Sequence, residues 1–278
     1  MQRRAAKGTV AFSVVTLDPA RRSWLKNACE VLSRRVGVIV YPQVAPSYSD
    51  LARNVRQGTV EMVWAPPLVA AELVEDASAR VLVLSQRDNA ATYRSVLFAR
   101  RDSGIRGVQD LRDKHVAWVD ARSASGYVVP CIWLRDNGLS PENLFGRQSF
   151  LGTHDAVARA VLRRETDAGA TFARLSGGAG AAVESGWQEL AQANAAEVDV
   201  IVNAGSVPSD CICTSARLDP ELRSQLERGF LDLDVESKNV LRKALGAHAY
   251  VAPGRAHALA LSRLCEEARR LTRRSIYP

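Results

Sequence analysis

The strongest constraint on this chain is a repeated change of hydrophobic period. Short β-branched runs that alternate at every second residue give way to stretches with apolar residues three and four apart. Val10, Phe12 and Val14 alternate before Asp18-Pro19 opens a helix carrying Trp24, Leu25, Ala28, Cys29, Val31 and Leu32 on one side. Gly37 stops that helix ahead of the β-branched run Val38-Ile39-Val40-Tyr41. A helix over 49–57 ending at Gly58, a strand over 60–64, a helix over 67–75 and a strand over 81–84 repeat the exchange. Strands separated by helices must pair by crossover, so the pattern predicts an α/β protein with mostly parallel sheets flanked by helices.

A polar turn, Arg101-Asp102-Ser103-Gly104, separates this stretch from a second series of β-α units. The second series begins at Val108–Leu111 and His115–Val119 and continues in a helix from about Ser125 to Asn137, closed by Gly138. A strand over 148–151, a helix over 154–164, and strands over 168–172 and 198–202 follow. The glycine-rich stretch 176–181 reads as a loop, and from Asp219 the chain is helical to its end apart from a break at Gly246. At roughly 150 residues per domain, 278 residues predict two domains.

Composition removes several classes of function. With 24% charged and 47% hydrophobic residues, and no apolar run near the ~18 residues that span a bilayer, direct membrane insertion is not expected. The net charge of +7 arises mostly from Arg. The Arg pairs fall at intervals on the wet faces of amphipathic helices, so no nucleic-acid partner is expected. Cys29, Cys131, Cys211, Cys213 and Cys265 form an odd set with no C-x-x-C pair, so neither a zinc cage nor a complete disulfide framework is indicated; no metal and no cofactor is expected. Cys211 and Cys213 alternate, which on a strand puts two buried thiols on one face. The apolar stretch 9–17 reads as a strand and not as a signal peptide, which places the chain in the cytoplasm as it stands, or in the periplasm if a leader has been removed.

The segment with most chemical content is Val119-Asp-Ala-Arg-Ser-Ala-Ser-Gly-Tyr-Val-Val-Pro130, which runs from a strand through small hydroxyl residues into a helix start. Ser123 and Ser125, with the backbone amides around Ser125, Gly126 and Tyr127, suit an oxyanion, because first-turn amides lack helical partners and the helix dipole is positive there. A serine that only caps the helix fits the same spacing. No P-loop, G-x-G-x-x-G or G-x-S-x-G motif occurs.

This segment resembles the hydroxyl-rich anion loop of the phosphonate-binding, PhnD-like solute receptors of ABC importers. Gly152-Thr153-His154-Asp155-Ala156 is similar to the family's Gly-Ser-His-Asp helix start, and Ser47-Tyr48, Tyr93-Arg94-Ser95, Asp102-Ser103-Gly104-Ile105, Glu165-Thr166-Asp167-Ala168-Gly169 and Ser206-Val207-Pro208 follow in family order. The resemblance implies a type 2 periplasmic-binding-protein fold, two lobes joined by a double-stranded hinge. Lobe one would be residues 1–98 with 204–278, and lobe two residues 99–203. It implies a non-enzymatic receptor that captures a phosphonate, phosphite or phosphate in the interlobe cleft, for an ABC permease or a signalling partner, and works as a monomer. The ligand-binding residues it implies are Tyr48, Tyr93, Ser123, Ala124, Ser125, Gly126, His154 and Asp155. Ala124 replaces the family's usual Thr, removing a hydroxyl donor. No acidic group stands at 169–174 to meet an ammonium; Asp210 is the only nearby candidate. An alternative is a cytoplasmic enzyme on the same fold, akin to some menaquinone- and thiamin-pathway enzymes, with His154 as general base.

Overall fold

The computed structural model describes residues 8–16, 18–87, 92–176, 181–187 and 198–276. Two units emerge: residues 1–91 with 208–263, and residues 92–207 with 264–278.

The first unit is built on the sheet order β12-β4-β11-β3-β1-β2. Its strands are β1 (Thr9–Val15), β2 (Ile39–Ala45), β3 (Met62–Ala65), β4 (Ala79–Gln86), β11 (Cys211–Ser215) and β12 (Ala249–Val251). Helix α1 (Pro19–Val36) is capped by the Asp18 carboxylate, which accepts from the Ala20 amide, and its apolar side seats Leu25, Ala28, Cys29 and Leu32 in the core. That core also holds Phe12, Met62, Ile212, Phe230 and Tyr250. Helices α2 (Tyr48–Gln57), α3 (Pro67–Glu75), α7 (Pro220–Leu231) and α8 (Val235–Leu245) complete the unit, with α9 (Arg255–Ile276) beginning in it.

The second unit has the sheet order β10-β5-β8-β6-β7, with β9 paired to β8. These strands are β5 (Thr92–Arg100), β6 (His115–Trp118), β7 (Arg147–Phe150), β8 (Ala168–Ser176), β9 (Ala181–Ser185) and β10 (Val198–Pro208). Its helices are α4 (Val129–Asp136), α5 (Pro141–Leu144) and α6 (His154–Leu162).

Four features depart from the sequence reading. The sheets are mixed instead of mostly parallel: β1 pairs in parallel with β2 and β3, and β6 with β7 and β8, but β11 runs antiparallel to β3 and β4, and β5 antiparallel to β8. Strand β5 belongs to the second unit because it pairs along its length with β8, so the boundary falls at residue 92 and not at 99. The end of α9 also groups with the second unit, where Arg135 Nη1 donates to the Leu271 carbonyl at 2.7 Å. Val108–Leu111 is a 3-10 turn closed by the Asp110 carboxylate, not a strand. The loop expected at 176–181 lies mostly outside the described residues.

Cys211 and Cys213 are fully buried in β11, and all five cysteines are free thiols. Among the described residues no group of three His, Cys, Asp or Glu side chains is placed to hold a metal, and no helix is long and apolar enough to cross a membrane.

Candidate functional site

Two helix starts stand side by side in the second unit because two neighbouring parallel strands deliver them. Strands β6 and β7 pair from His115 with Arg147 to Trp118 with Phe150. The pairing continues past their ends, where the Leu151 amide donates to the Trp118 carbonyl at 2.9 Å and the Gly152 amide to the Val119 carbonyl at 2.7 Å. The segments leading to Ser123 and to Thr153 therefore leave the carboxyl ends of adjacent strands together, the edge of an open α/β sheet where ligands bind.

The first start is wound as a π turn over Ala124–Val128, and α4 follows it. The Val128 amide donates to the Ser123 carbonyl at 3.0 Å and the Val129 amide to the Ala124 carbonyl, both five residues back. π turns recur at functional positions because the wider coil redirects side chains and amides. Ser123 Oγ accepts from the Gly126 amide at 3.1 Å, so this serine does cap the turn. Its hydroxyl hydrogen remains a donor. Ser123, Ala124, Ser125 and Gly126 are all buried.

Packing fixes this loop from two sides. Ser95 Oγ, on β5, donates to the Ser125 carbonyl at 2.8 Å. The Val119 amide donates to the Gly126 carbonyl at 3.2 Å, and a Cβ on Gly126 would lie 2.3 Å from Val119 Cγ2. Tyr127 projects between Trp118 and Phe150, edge-on to each with centroids at 5.5 and 5.0 Å. Burial pushes the Tyr127 phenol up to about 12 and the Cys131 thiol likewise to about 12, so both stay neutral beside the loop and bring no negative charge to oppose an anion.

The second start is α6. Thr153 Oγ1 caps it by accepting from the Ala156 amide at 3.2 Å, and the earlier first-turn amides have no helical carbonyl to donate to. His154 is the first residue of the helix, with Nδ1 2.8 Å from Thr171 Oγ1 on β8 and its ring edge-on to Phe172 at 5.2 Å. Asp155 stands in the first turn, where its carboxylate favours the helix dipole.

Phe172 ties these parts together. It pairs in register with Ser95, the residue that anchors the Ser125 carbonyl. Its ring also meets that of Tyr93 edge-on at 6.1 Å. Of the residues singled out from sequence, Tyr93, Ser123, Ala124, Ser125, Gly126, His154 and Asp155 thus gather within the second unit. Tyr48 belongs to the first unit, buried at the first position of α2 behind the Ser47 cap. Asp210, the one acidic candidate for meeting an ammonium, is engaged: it lies 2.9 Å from Arg87 Nη1, and the same guanidinium donates to the Gly246 and Leu245 carbonyls.

Three residues of this arrangement escape sequence reasoning. Ser95 appears there only as part of a motif, and Thr171 and Phe172 only as strand residues. Strand alternation flags which face each occupies, but not that the start of α6 lies against that strand.

Residues 24–257 match the family described as ABC transporter, phosphonate, periplasmic substrate-binding protein. The phosphonates-binding periplasmic protein of Escherichia coli is 28% identical over 142 residues, 49% of this chain and 41% of that protein. The tetrathionate sensor histidine kinase TtrS of Salmonella typhimurium is 40% identical over 101 residues, 34% of this chain and 17% of that protein. The chain spans less than half the length of these curated relatives in the matched regions. The structure of PhnD1 from Prochlorococcus marinus in complex with methylphosphonate superposes with a TM-score of 0.77 at 17% identity, covering 95% of this chain and 98% of that one. That likeness establishes the type 2 periplasmic-binding-protein fold. The matched family is one of substrate-binding proteins and not of enzymes. With its family match running through most of both units, the chain belongs to the periplasmic phosphonate substrate-binding proteins of ABC transporters.

Proposed function

We propose that this protein captures a small phosphorus oxyanion at the paired helix starts of its second unit, for uptake through an ABC permease in the periplasm. The observation that carries the reading is the delivery of Ser123–Gly126 and His154 to one edge by the paired strands β6 and β7. In this reading Ser123 and Ser125 donate hydroxyl hydrogen bonds and the turn donates the amides of Ser125 and Tyr127, while the Gly126 amide caps back to Ser123 Oγ and its missing side chain lets the loop pack closely. His154 donates a ring N–H. Asp155 contributes its backbone amide, its carboxylate serving the helix. Tyr93 closes one side with its hydroxyl.

Hydrogen bonds to a charged group contribute roughly 1.5–3 kcal/mol each, so three or four suffice for micromolar affinity. Ala124 takes away one hydroxyl, and Asp210 is held by Arg87. With Asp210 engaged and no acidic residue at 169–174, phosphate, phosphite or a short alkyl phosphonate is favoured over an aminoalkyl phosphonate, while Ala124 retunes the affinity for the oxyanion.

A calorimetric panel of methylphosphonate, phosphite, phosphate, 2-aminoethylphosphonate, sulfate and tetrathionate tests the reading, repeated on His154→Ala. Micromolar binding of one of the first three, weakened tenfold or more in the variant, is expected. No response to any phosphorus compound overturns it. The second reading is the input unit of a sensor, favoured by the 40% identity to part of TtrS. Selective binding of tetrathionate would put that reading first.

A further inference from the structure

We propose that Thr171 is a positioning residue that holds His154 as the Nε2–H tautomer, so that the ring presents a donor and not a lone pair to the oxyanion. The inference deepens the function proposed above and rests on it for the identity of the ligand, but its own content is the protonation pattern of one imidazole. Thr171 is completely buried on β8, and His154 Nδ1 lies 2.8 Å from its Oγ1. The distance alone allows either partner to donate.

Accounting for the hydrogens decides the direction. A hydroxyl carries one hydrogen and two lone pairs. Among the described residues, His154 is the one hydrogen-bond partner of the Thr171 hydroxyl. If Nδ1–H donated, the hydroxyl hydrogen would be buried with no acceptor, the costlier kind of unmet group. If the hydroxyl donates, its hydrogen is used, Nδ1 accepts, and the ring proton of a neutral imidazole must sit on Nε2.

The surroundings keep Thr171 in that pose. A Cβ on Gly186 would lie 2.2 Å from Thr171 Oγ1 and 3.5 Å from His154 Cβ, so the absence of a side chain there makes room for the pair. The Gly186 amide donates to the Phe172 carbonyl at 3.2 Å, which fixes that backbone against β8. Phe172 meets the ring of His154 edge-on and limits its rotation. A strand, a glycine and an aromatic edge thus orient one imidazole before any ligand arrives, and a donor set in place in advance loses less freedom on binding.

The test is a long-range proton–nitrogen correlation spectrum of the imidazole rings in uniformly 15N-labelled full-length protein. The chain has four histidines, and His154→Gln assigns the signals of interest by their loss. The expected wild-type pattern has a protonated Nε2 and an unprotonated Nδ1 for His154. Thr171→Val, which keeps the shape and removes the hydroxyl, should shift His154 toward a mixture of tautomers, and Thr171→Ser should restore the single pattern. A protonated Nδ1 in the wild type, or an unchanged pattern in Thr171→Val, overturns the proposal. If Thr171→Val does not fold, the wild-type spectrum decides alone. Methylphosphonate titration of the same proteins should show about tenfold weaker binding in Thr171→Val, the loss of roughly one oriented hydrogen bond, and near-normal binding in Thr171→Ser. If none of methylphosphonate, phosphite and phosphate binds the wild type, the ligand reading fails while the spectrum still settles the tautomer.

Discussion

Replacing Gly126 by Ala tests whether the serine loop is as tightly held as its packing requires. Gly126 does not have a positive φ, so an Ala there meets no backbone penalty and any cost is steric. The new methyl would lie 2.3 Å from Val119 Cγ2, 2.7 Å from Val119 Cβ and 2.8 Å from Ser123 Oγ. Val119 is completely buried, and its amide is bonded to the Gly126 carbonyl, so neither residue can step aside alone. The π turn must lift from β6, straining the bonds from Ser95 to Ser125 and from Gly126 to Ser123. Overpacking of this kind costs roughly 1–3 kcal/mol. At about 3 °C per kcal/mol for a chain of this size, the melting temperature should fall by about 6 °C.

Gly138→Ala is the matched control. Gly138 has φ +74° and open space where a Cβ would go. Its cost is conformational, about 1–2 kcal/mol, and far from the loop. Both variants should melt earlier than the wild type in a calorimetric scan, but only Gly126→Ala should also lose phosphonate affinity. A Gly126→Ala protein that melts within 1 °C of the wild type, a limit set by the roughly 3 °C per kcal/mol above, and binds normally would refute the account of the loop.

Two further outcomes follow from groups away from the loop. Arg87→Met leaves the buried Asp210 carboxylate without its 2.9 Å counter-ion, and urea unfolding should show a loss of about 3–5 kcal/mol. Arg87→Met with Asp210→Asn should regain most of it, and a loss below ~1 kcal/mol in the single variant would mean that the pair is solvated and worth no more than a surface bridge. Burial pushes the thiols of Cys29 and Cys131 up to about 12 from an ordinary value of 9.0. The sign follows from the unfolded chain ionising more readily: their contribution to stability is complete below pH 9.0 and is lost as pH rises toward 12. At pH 8 native protein should react negligibly with a thiol-specific disulfide reagent, and in guanidinium all five cysteines should react. Fast labelling of native protein would show that the thiols are open to solvent.

How far the sequence reaches can be read from individual elements. Helix α1 was legible from its Asp18-Pro19 start and the spacing of Leu25, Ala28, Cys29 and Leu32, because a local cap and a 3.6-residue period depend on nearby residues alone. The hydroxyl loop and the start of α6 were legible for the same reason: Ser123 and Thr153 are caps whose partners lie three residues ahead. Strand direction was not. Val108–Leu111 has a strand's composition but forms a turn around Asp110, and β5 runs antiparallel to a partner some seventy residues on, which no local period encodes. The residues that position the site, Ser95, Thr171, Phe172 and Gly186, likewise matter through contacts distant in sequence.

The sequence alone determined the alternation of helices and strands, the caps, and the serines and histidine that stand at two helix starts. Those are properties of short stretches of backbone and their nearest side chains. Only the tertiary structure decided that the two starts lie together, because β6 and β7 pair in parallel and zip past their ends. It also decided which hydroxyl faces Nδ1 of His154, because that is set by where β8 runs beneath α6.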